Sequence, residues 1–218
     1  MNSFLNNKDS RSIVILGAGG HAKVVAEALT LSGKEILGCI TSDKKPGEVC
    51  FGLGVLGSDE ILAKFSRQDV LIANGIGSLP YQTLRKKLAE KVRALGFEFT
   101  SVIHPTAIIS DTVKLSNGAQ IMAGVVIQPS SIIGADSIVN TGVVIDHDCI
   151  IGDNCHISPG VTLCGGVLVD SCVFVGAGSS VLQNISIGAN SIVASGSVVY
   201  KNIGENVTFI QSKYEINK

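Results

Sequence analysis

The sequence contains no tryptophan, and aromatic residues make up only 5% of it. Such a chain offers few rings on which bases could stack, and its net charge of −1 provides no basic surface for a phosphate backbone. No apolar stretch approaches the roughly 20 residues that a membrane span needs. The first ten residues also lack the apolar core of a signal peptide. We therefore expect a cytoplasmic protein with no nucleic-acid partner and no membrane span.

The six cysteines lack the paired C-x-x-C spacing of redox and zinc motifs. Two of them, Cys149 and Cys155, occupy inward positions of a repeat described in the next paragraph, where a thiol serves as a small apolar filler. Reduced cysteines in a reducing compartment are the expectation, and disulfide bonding is the alternative.

What the sequence does have is a six-residue repeat over nearly half of its length. Every sixth residue from Ile103 to Val199 is Ile, Val or Leu, and the fourth residue after each of these is mostly small. Residues that favour turns, namely Gly, Asp, Asn and Ser, fall between them. Neither an α-helix nor an alternating strand has this period, so the pattern predicts a solenoid of short strands and turns. Three such units would complete one triangular turn and stack residues 18 apart on one another.

Strands alternate with helices in the first hundred or so residues. A buried strand begins at Ser12, and a helix runs from His21 to about Ser32 and ends at Gly33. Further expected elements are strands over residues 35–41, 69–73 and 97–103, a short helix from Ser58, a helix over residues 79–95 and a polar loop over residues 42–57. This alternation predicts a small parallel α/β domain.

Two glycine-rich turns follow strands of this domain. Gly17-Ala-Gly-Gly20 leads into the first helix, and Asn74-Gly-Ile-Gly77 follows the third strand. Glycines let the backbone approach a ligand, and a helix N-terminus offers N–H groups to an anion. Ala22 stands where a G-x-G-x-x-G motif has its last glycine, so a single nucleotide is favoured over a dinucleotide. A tight turn without a ligand is the alternative.

Among the four histidines, His147 has the setting that favours catalysis. It lies between two inward positions of the repeat, so it should point outward, and Asp146 and Asp148 flank it. A carboxylate beside an imidazole can fix its tautomer and raise its basicity, which suits a general base. Gly165, 18 residues further on, should stack on the histidine and leave room for a substrate. His104, which precedes a proline, is interpreted as part of a structural turn.

Three features together resemble the PglD/NeuD family of bacterial sugar acyltransferases: the segment Gly17–Val25, the six-residue repeat, and the string from Asn140 through Asp146-His147-Asp148 to His156 and Gly160. The resemblance implies an α/β N-terminal Rossmann-like domain with a small parallel sheet, which binds a nucleotide sugar, followed by a left-handed parallel β-helix. We expect these domains over residues 1–102 and 103–218.

The implied reaction is N-acetylation from acetyl-CoA, without a metal. The acceptor would be the 4-amino group of a nucleotide-linked 4-amino-4,6-dideoxysugar, for bacterial surface glycan or glycoprotein biosynthesis. O-acetylation of sialic-acid-like sugars is the alternative. Family members are trimers with the coenzyme between neighbouring coils, so the resemblance also implies a homotrimer with a shared active site.

The resemblance assigns roles to individual residues. His147 is the implied general base, and Asp148, where the family frequently has Glu, is its partner. The residues expected to meet acetyl-CoA are His156, Gly165 and Asn140. The candidate nucleotide-sugar residues, with those of the second glycine turn, are Gly17, Gly19, Gly20, His21, Asp43, Asn74 and Gly75.

Two other interpretations stay open. A zinc enzyme of the γ-carbonic-anhydrase type would need three imidazoles that converge between subunits. A sugar-nucleotide sensor or scaffold without catalytic activity would use the glycine turns for binding and the coil for assembly alone.

Overall fold

A computed structural model describes residues 9–81 and 83–211 of the chain. These residues form two compact units. The N-terminal unit runs to Ala107 and also includes Asn117–Ala123, whereas the coil unit comprises Ile108–Ser116 and the chain from Gly124 onward. The outermost parts of the two predicted domains, residues 1–8 and 212–218, lie outside the described residues.

The N-terminal unit is built on a five-stranded sheet. Its strands are β1 (Ser12–Leu16), β2 (Ile36–Ile40), β3 (Val49–Cys50), β4 (Leu53–Gly57) and β5 (Val70–Asn74), in the order β3-β4-β2-β1-β5. Its helices are α1 (Gly20–Leu31), α2 (Leu84–Ala94) and a 3-10 helix (Asp59–Lys64). All pairs are parallel except β3–β4. The predicted parallel sheet is therefore a mixed one with a parallel centre.

Apolar burial explains the centre of this sheet. Strand β5 is buried at all of its residues, and strand β1 is buried at all but the first, as expected for central strands covered on both faces. Helix α1 packs one side against them through Ala22, Val25 and Ala28, each 0% exposed. Gly33, with φ +72°, ends this helix in the left-handed conformation, as predicted.

Three predicted elements of the N-terminal unit were wrong in extent. Residues 42–57, expected to be a loop, contain the hairpin β3–β4. The helix expected over residues 79–95 begins only at Leu84. The strand expected over residues 97–103 reduces to an isolated bridge between Phe99 and Ile72 and to a two-residue strand, β6 (Val102–Ile103).

The repeat forms the predicted parallel β-solenoid, with a two-residue strand on each side of each turn. Its strands are β7 (Ile108–Ile109), β8 (Lys114–Leu115), β9 (Gln120–Ile121), β10 (Val126–Ile127), β11 (Ile132–Ile133), β12 (Ile138–Val139), β13 (Val144–Ile145), β14 (Ile150–Ile151), β15 (His156–Ile157), β16 (Thr162–Leu163), β17 (Leu168–Val169), β18 (Phe174–Val175), β19 (Ser180–Val181), β20 (Ser186–Ile187), β21 (Ile192–Val193), β22 (Val198–Val199) and β23 (Thr208–Phe209). Within the coil unit, one sheet has the order β22-β19-β16-β13-β10-β7, a second has β20-β17-β14-β11-β8, and a third contains β23-β21-β18-β15-β12. Strand β9 pairs with β6 inside the N-terminal unit.

The corners of the coil have a period of their own. Every sixth residue from Gly124 to Gly196 has a φ between +56° and +69° or, at Gly196, of +71°. This left-handed conformation is open to glycine and is tolerated by Asn and Asp, which explains the residue types that the repeat places there. Asp148 occupies one of these corners, with φ +59°.

The small inward residues bind the next turn of the coil. The Ser131 and Ser137 hydroxyls donate to the carbonyl oxygens of Asp146 and Gly152 at 2.9 and 2.7 Å, and the Cys155 thiol donates to that of Asp170 at 2.9 Å. In each case the acceptor lies 15 residues further on. The second inward position thus satisfies corner carbonyls that no strand pairs.

The six-residue register ends after Val199. Ile203, expected at a second inward position, instead pairs with Ile187, and Val193 pairs with Phe209. Both pairs join residues 16 apart, so the last turn is two residues shorter than the others.

Candidate active site

His147 lies at the corner between β13 and β14. The residues that flank this corner on the inward side, Ile145 and Cys149, are 0% exposed. The imidazole points outward, as the repeat predicts, and its side chain is 54% exposed. The predicted orientation of this histidine therefore agrees with the structure.

Asp148 holds the His147 ring. Asp148 Oδ2 lies 2.8 Å from His147 Nδ1, and the Asp148 N–H donates to the carbonyl oxygen of Pro129 at 3.0 Å. The backbone at Asp148 is left-handed, with φ +59°, and the Asp148 carboxylate contacts the imidazole of the preceding residue directly.

The backbone of His147 is fixed on both sides. Its N–H donates to Asp146 Oδ1 at 2.8 Å, and its carbonyl oxygen accepts from the Gly166 N–H at 2.9 Å. Asp146 therefore caps the corner, and it also adds a second negative charge close to the ring.

Gly165 supports the imidazole from the next turn of the coil. A Cβ at this position would lie 2.7 Å from His147 Cε1 and 2.8 Å from Nε2, closer than van der Waals contact permits. The imidazole thus fills the space that the missing side chain leaves. The stacking of Gly165 on His147 was predicted, but the space was expected to be open to a substrate.

The two carboxylates determine the state of the His147 ring. An ionised Asp148 can only accept, so Nδ1 carries the proton and Nε2 keeps a free lone pair. The hydrogen bond that His147 Nδ1–H donates to Asp148 is the largest cause that raises the pKa of His147, and the charge of Asp146 is the next. The site therefore contains an oriented imidazole of increased basicity.

A backbone donor lies beside this ring. The N–H of Gly165 has no hydrogen-bond partner within residues 9–81 and 83–211. At several other corners the equivalent N–H is capped by a side chain, as in Thr141 to Asn140 Oδ1 at 2.8 Å and Ala135 to Asp153 Oδ1 at 2.7 Å. Thr141 is capped by the residue before it and Ala135 by a residue of the next turn, whereas no side chain of the described residues caps the Gly165 N–H, which is therefore available to a ligand.

Cys149 does not act as a nucleophile in this geometry. Its Sγ lies 3.2 Å from the carbonyl oxygen of Cys164, to which the thiol donates, and the residue is 0% exposed. Burial raises the pKa of the thiol to about 11, so the reactive thiolate is disfavoured. None of the six cysteines, all of which lie within the described residues, forms a disulfide bond.

Asn140 and His156 lie elsewhere on the coil. Asn140 Oδ1 accepts from the N–H of Thr141, so this amide oxygen caps its own corner. His156, on β15, is 7% exposed and stacks on Phe174 with a centroid distance of 5.0 Å and an interplanar angle of 17°. The predicted roles of Asn140 and His156 toward acetyl-CoA stay predictions.

In the N-terminal unit, the first glycine turn has open space at two positions. A Cβ at Gly19 or Gly20 would meet no atom within 4 Å, whereas one at Gly17 would meet Ile76 Cδ1 at 2.6 Å. Gly19 and Gly20 therefore leave the backbone accessible, as a ligand requires. Gly17, with φ +90°, is required by the turn itself.

The second glycine turn serves packing. A Cβ at Gly75 would lie 2.6 Å from the Leu16 carbonyl oxygen and 2.7 Å from Ala22 Cβ. Asn74 is 1% exposed, and its Oδ1 accepts from the Ile76 N–H at 3.1 Å. Both residues were predicted to bind substrate; their contacts stabilise this turn, and the binding role stays a prediction.

Sequence reasoning missed a buried polar group that reaches His21. His21 Nε2 lies 2.7 Å from Gln120 Oε1, and Gln120 Nε2 donates to the Asn74 carbonyl oxygen at 2.7 Å. Arg85 Nη1 donates to the same carbonyl at 3.0 Å. Gln120 stands at a non-inward position of the repeat and is nonetheless 0% exposed, a burial for which the sequence pattern carries no signal.

The remaining candidates lie at the surface. Asp43 follows β2, and its N–H donates to Thr41 Oγ1 at 3.2 Å, which leaves its exposed carboxylate near the carboxyl end of that strand. His104 is half-buried and its Nδ1 lies 2.8 Å from Thr106 Oγ1, in the structural turn expected for it.

Residues 9–81 and 83–211 contain neither a metal-binding cluster nor a helix that could span a membrane. No group of three or more His, Cys, Asp or Glu side chains is placed there to hold a metal ion. The helices of this part of the chain are also too short or too polar to cross a membrane.

Comparison with known proteins identifies the family. The PglD N-terminal domain matches residues 12–92, and the bacterial transferase hexapeptide model (six repeats) matches residues 130–165. PerB from Caulobacter crescentus, whose structure was solved in complex with CoA and GDP-perosamine, is 37% identical; the match covers 90% of this chain and 94% of PerB, with a TM-score of 0.81. The chain therefore belongs to the PglD-type family of sugar acyltransferases, and the predicted family, fold class and enzyme class are confirmed.

Two further relatives support this membership. The acetyltransferase domain of PglB from Neisseria gonorrhoeae FA1090, solved in complex with acetyl coenzyme A, is 30% identical, with 91% of this chain and 97% of that domain covered and a TM-score of 0.82. UDP-N-acetylbacillosamine N-acetyltransferase of Bacillus subtilis (strain 168) is 37% identical over 119 residues, which are 52% of each chain. That match spans about half the length of the curated relative.

Proposed function

We propose that this chain transfers the acetyl group of acetyl-CoA to the 4-amino group of a nucleotide-linked 4-amino-4,6-dideoxysugar. The observation that carries the proposal is the exposed imidazole of His147, held by Asp148 at 2.8 Å and packed on Gly165. Similarity to PerB, solved with CoA and GDP-perosamine, and to an enzyme named as a bacillosamine N-acetyltransferase supports this choice of cofactor and acceptor.

In the proposed mechanism the sugar amine attacks the thioester carbonyl carbon while His147 Nε2 accepts a proton from the amine. Asp148 stabilises the imidazolium that forms, and the Gly165 N–H donates to the oxyanion of the tetrahedral intermediate. Collapse of the intermediate breaks the C–S bond, and the CoA thiolate leaves and takes up a proton. Because Cys149 is buried and its raised pKa disfavours the thiolate, the proposed transfer is direct, without an acyl-enzyme on this residue.

The other predicted contacts form part of the proposal. On the coil, Asn140 and His156 are the further candidates to meet acetyl-CoA. In the N-terminal unit, the open turn at Gly19 and Gly20 supports binding of the nucleotide sugar there. The cytoplasmic location is a prediction from the sequence.

A substrate panel tests the function. Purified protein with acetyl-CoA is assayed for thiol release with GDP- and UDP-linked 4-amino-dideoxysugars and with free sialic acids. We expect turnover of the amino sugars and a loss of about 10²–10⁴ in kcat/KM for His147→Ala. His104→Ala, which removes another imidazole that is accessible in part, should keep wild-type kinetics. Turnover of sialic acids alone would replace the proposal by O-acetylation, and an inactive panel would favour a sensor or scaffold.

We also propose that the chain forms a homotrimer with acetyl-CoA between neighbouring coils. The outward side chains of the second coil sheet include Ile150 and Leu168, each 46% exposed, and such an apolar column on a flat sheet favours association with a second copy. Leu168→Asp should convert the trimer to monomers and abolish turnover. Leu31→Asp, on helix α1 and 57% exposed, is the control. Light scattering measures the mass, and a fully active wild-type monomer would overturn this assembly.

A further inference from the structure

A chain of buried hydrogen bonds in the N-terminal unit ends on His21. Gln120 and Asn74 are 0% and 1% exposed, so their polar atoms cannot exchange these partners for water without disrupting the packing. Gln120 donates through Nε2 to the Asn74 carbonyl oxygen, and its Oε1 faces His21 Nε2, both at 2.7 Å.

The Asn74 carbonyl fixes the orientation of the Gln120 amide. A carbonyl oxygen can only accept, so the amide must present its NH₂ group to Asn74 and its oxygen to His21. If the amide were flipped, Gln120 Oε1 would lie 2.7 Å from the Asn74 carbonyl oxygen, and two acceptors would face each other. The Asn74 carbonyl is itself held in place, because Arg85 Nη1 donates to it at 3.0 Å.

The orientation of the amide in turn fixes the tautomer of His21. Because Gln120 Oε1 accepts, His21 Nε2 must carry a proton. Burial lowers the pKa of His21 to about 4, against the smaller opposing effect of the Gln120 hydrogen bond, and the positive charge of Arg85 lowers it further. The ring is therefore neutral near pH 7, and its Nδ1 carries a lone pair.

The His21 Nδ1 is the only ring nitrogen left for a ligand. It makes no hydrogen bond within residues 9–81 and 83–211. His21 is the second residue of α1, which begins within the open turn at Gly19 and Gly20, and its Cβ lies against Gly77 of the second glycine turn. Because Nδ1 is not fully buried, it stays accessible beside the turn whose backbone is open.

We propose that Gln120 is a positioning residue that presents His21 Nδ1 as a hydrogen-bond acceptor for a hydroxyl or N–H group of the nucleotide-linked sugar. A neutral acceptor of this kind rejects phosphate, so His21 selects a donor group of the substrate and leaves the anion to the backbone N–H groups of the turn. This assignment rests on the proposed function for the identity of the ligand, but the tautomer of His21 does not depend on it.

Nitrogen NMR of the histidine rings tests the tautomer without any substrate. In wild-type protein at pH 7, the His21 ring, assigned by comparison with His21→Asn, should show a protonated Nε2 and an unprotonated Nδ1. Titration with GDP-perosamine should shift the Nδ1 resonance toward that of a hydrogen-bonded acceptor. A protonated Nδ1 in the free protein overturns the proposal even if the enzyme is active. An unchanged Nδ1 resonance under saturating GDP-perosamine, with saturation shown by calorimetry, overturns it as well.

Kinetics of two Gln120 variants separate positioning from folding. Gln120→Leu frees the tautomer, and we expect KM for the nucleotide sugar to rise about tenfold, with kcat and KM for acetyl-CoA nearly unchanged. Gln120→Glu keeps an acceptor for Nε2–H but loses the donor to the Asn74 carbonyl, which then has Arg85 as its donor. The added negative charge raises the pKa of His21, so KM for the sugar should rise as the pH falls and His21 gains a second proton. Exposed Gln68→Leu is the control. Equal losses in kcat and in both KM values, or a pH-independent KM in Gln120→Glu at unchanged melting temperature, contradict the proposal.

Discussion

In the coil unit His147 stands exposed beside two carboxylates, whereas in the N-terminal unit His21 is half-buried and bonded to a neutral amide. The carboxylates raise the pKa of His147, and burial with the nearby Arg85 lowers the pKa of His21 to about 4. The hydrogen bonds also fix opposite tautomers, since Nδ1 carries the proton in His147 and Nε2 carries it in His21. The same side chain is thus prepared as a base in one unit and as a neutral acceptor in the other.

The glycines of the two units differ in the same way. Gly165 in the coil makes room for a side chain of the site, because a Cβ there would meet the His147 ring. Gly75 in the N-terminal unit makes room for the fold, because a Cβ there would meet Leu16 and Ala22. Glycine at a turn therefore indicates close approach, but only the neighbouring atoms tell whether the approach serves chemistry or packing.

The largest effect expected in this comparison is that of Gly165→Ala. The backbone at Gly165 does not have a positive φ, so alanine adds no backbone strain, and its Cβ would displace the imidazole that now lies 2.7 Å from that position. We expect kcat/KM to fall by about 10²-fold, since a displacement of the base by about 1 Å is enough for such a loss.

Two controls accompany Gly165→Ala. Gly54→Ala, also without positive φ and without an atom within 4 Å of the added Cβ, should leave the kinetics unchanged. In a His147→Ala background, Gly165→Ala should cost little more, because the group it displaces is already absent. Full additivity of the two losses would show that Gly165 acts independently of the imidazole.

The period of the coil could be predicted from the sequence because each residue of the repeat meets the same neighbours in every turn. This regularity also predicted the outward direction of His147 and its stacking with Gly165. It could not show what fills the space above Gly165, since the ring position depends on the left-handed corner at Asp148 and on the side chain of that residue.

Outside the repeat, the sequence carried weaker signals. The hairpin β3–β4 was missed because its two-residue turn is Phe51-Gly52, with φ of +42° and +83°, whereas Asn-Gly or Asp-Gly is the usual signature of such a turn. Gln120 was missed because a glutamine at an outward position predicts exposure, and only the three-dimensional contacts of the N-terminal unit show its burial.

A smaller effect is expected from removing the charge of Asp148. Asn is also tolerated in the left-handed conformation, so Asp148→Asn keeps the corner and removes the carboxylate. Because the Asp148 hydrogen bond raises the pKa of His147, its loss lowers that pKa, and the acid limb of the kcat/KM profile should move to lower pH. The plateau rate should fall about tenfold, since a weaker base faces the same amine.

Neighbouring aspartates calibrate the Asp148 result. Asp146→Asn should move the acid limb in the same direction by less, because the charge of Asp146 is the second cause of the raised pKa. Asp170→Asn, at a corner where the carboxylate caps the Ser171 N–H, should leave the profile unchanged. A limb that moves to higher pH in Asp148→Asn would contradict the proposed pairing.

The smallest effect concerns corners where strain alone is at issue. Gly178 in the coil and Gly33 in the N-terminal unit have φ of +66° and +72°, and an added Cβ at either would meet no atom within 4 Å. Alanine at each should therefore lower the free energy of unfolding by about 1 kcal/mol through left-handed strain alone. At another coil corner, Cys172 is a non-glycine residue with φ +61°. Cys172→Gly should remove the left-handed strain there and raise the free energy of unfolding. Urea unfolding at fixed protein concentration measures all three variants. A much larger loss of unfolding free energy for Gly178→Ala than for Gly33→Ala would show that alanine at a coil corner is destabilising by more than the backbone strain at that residue.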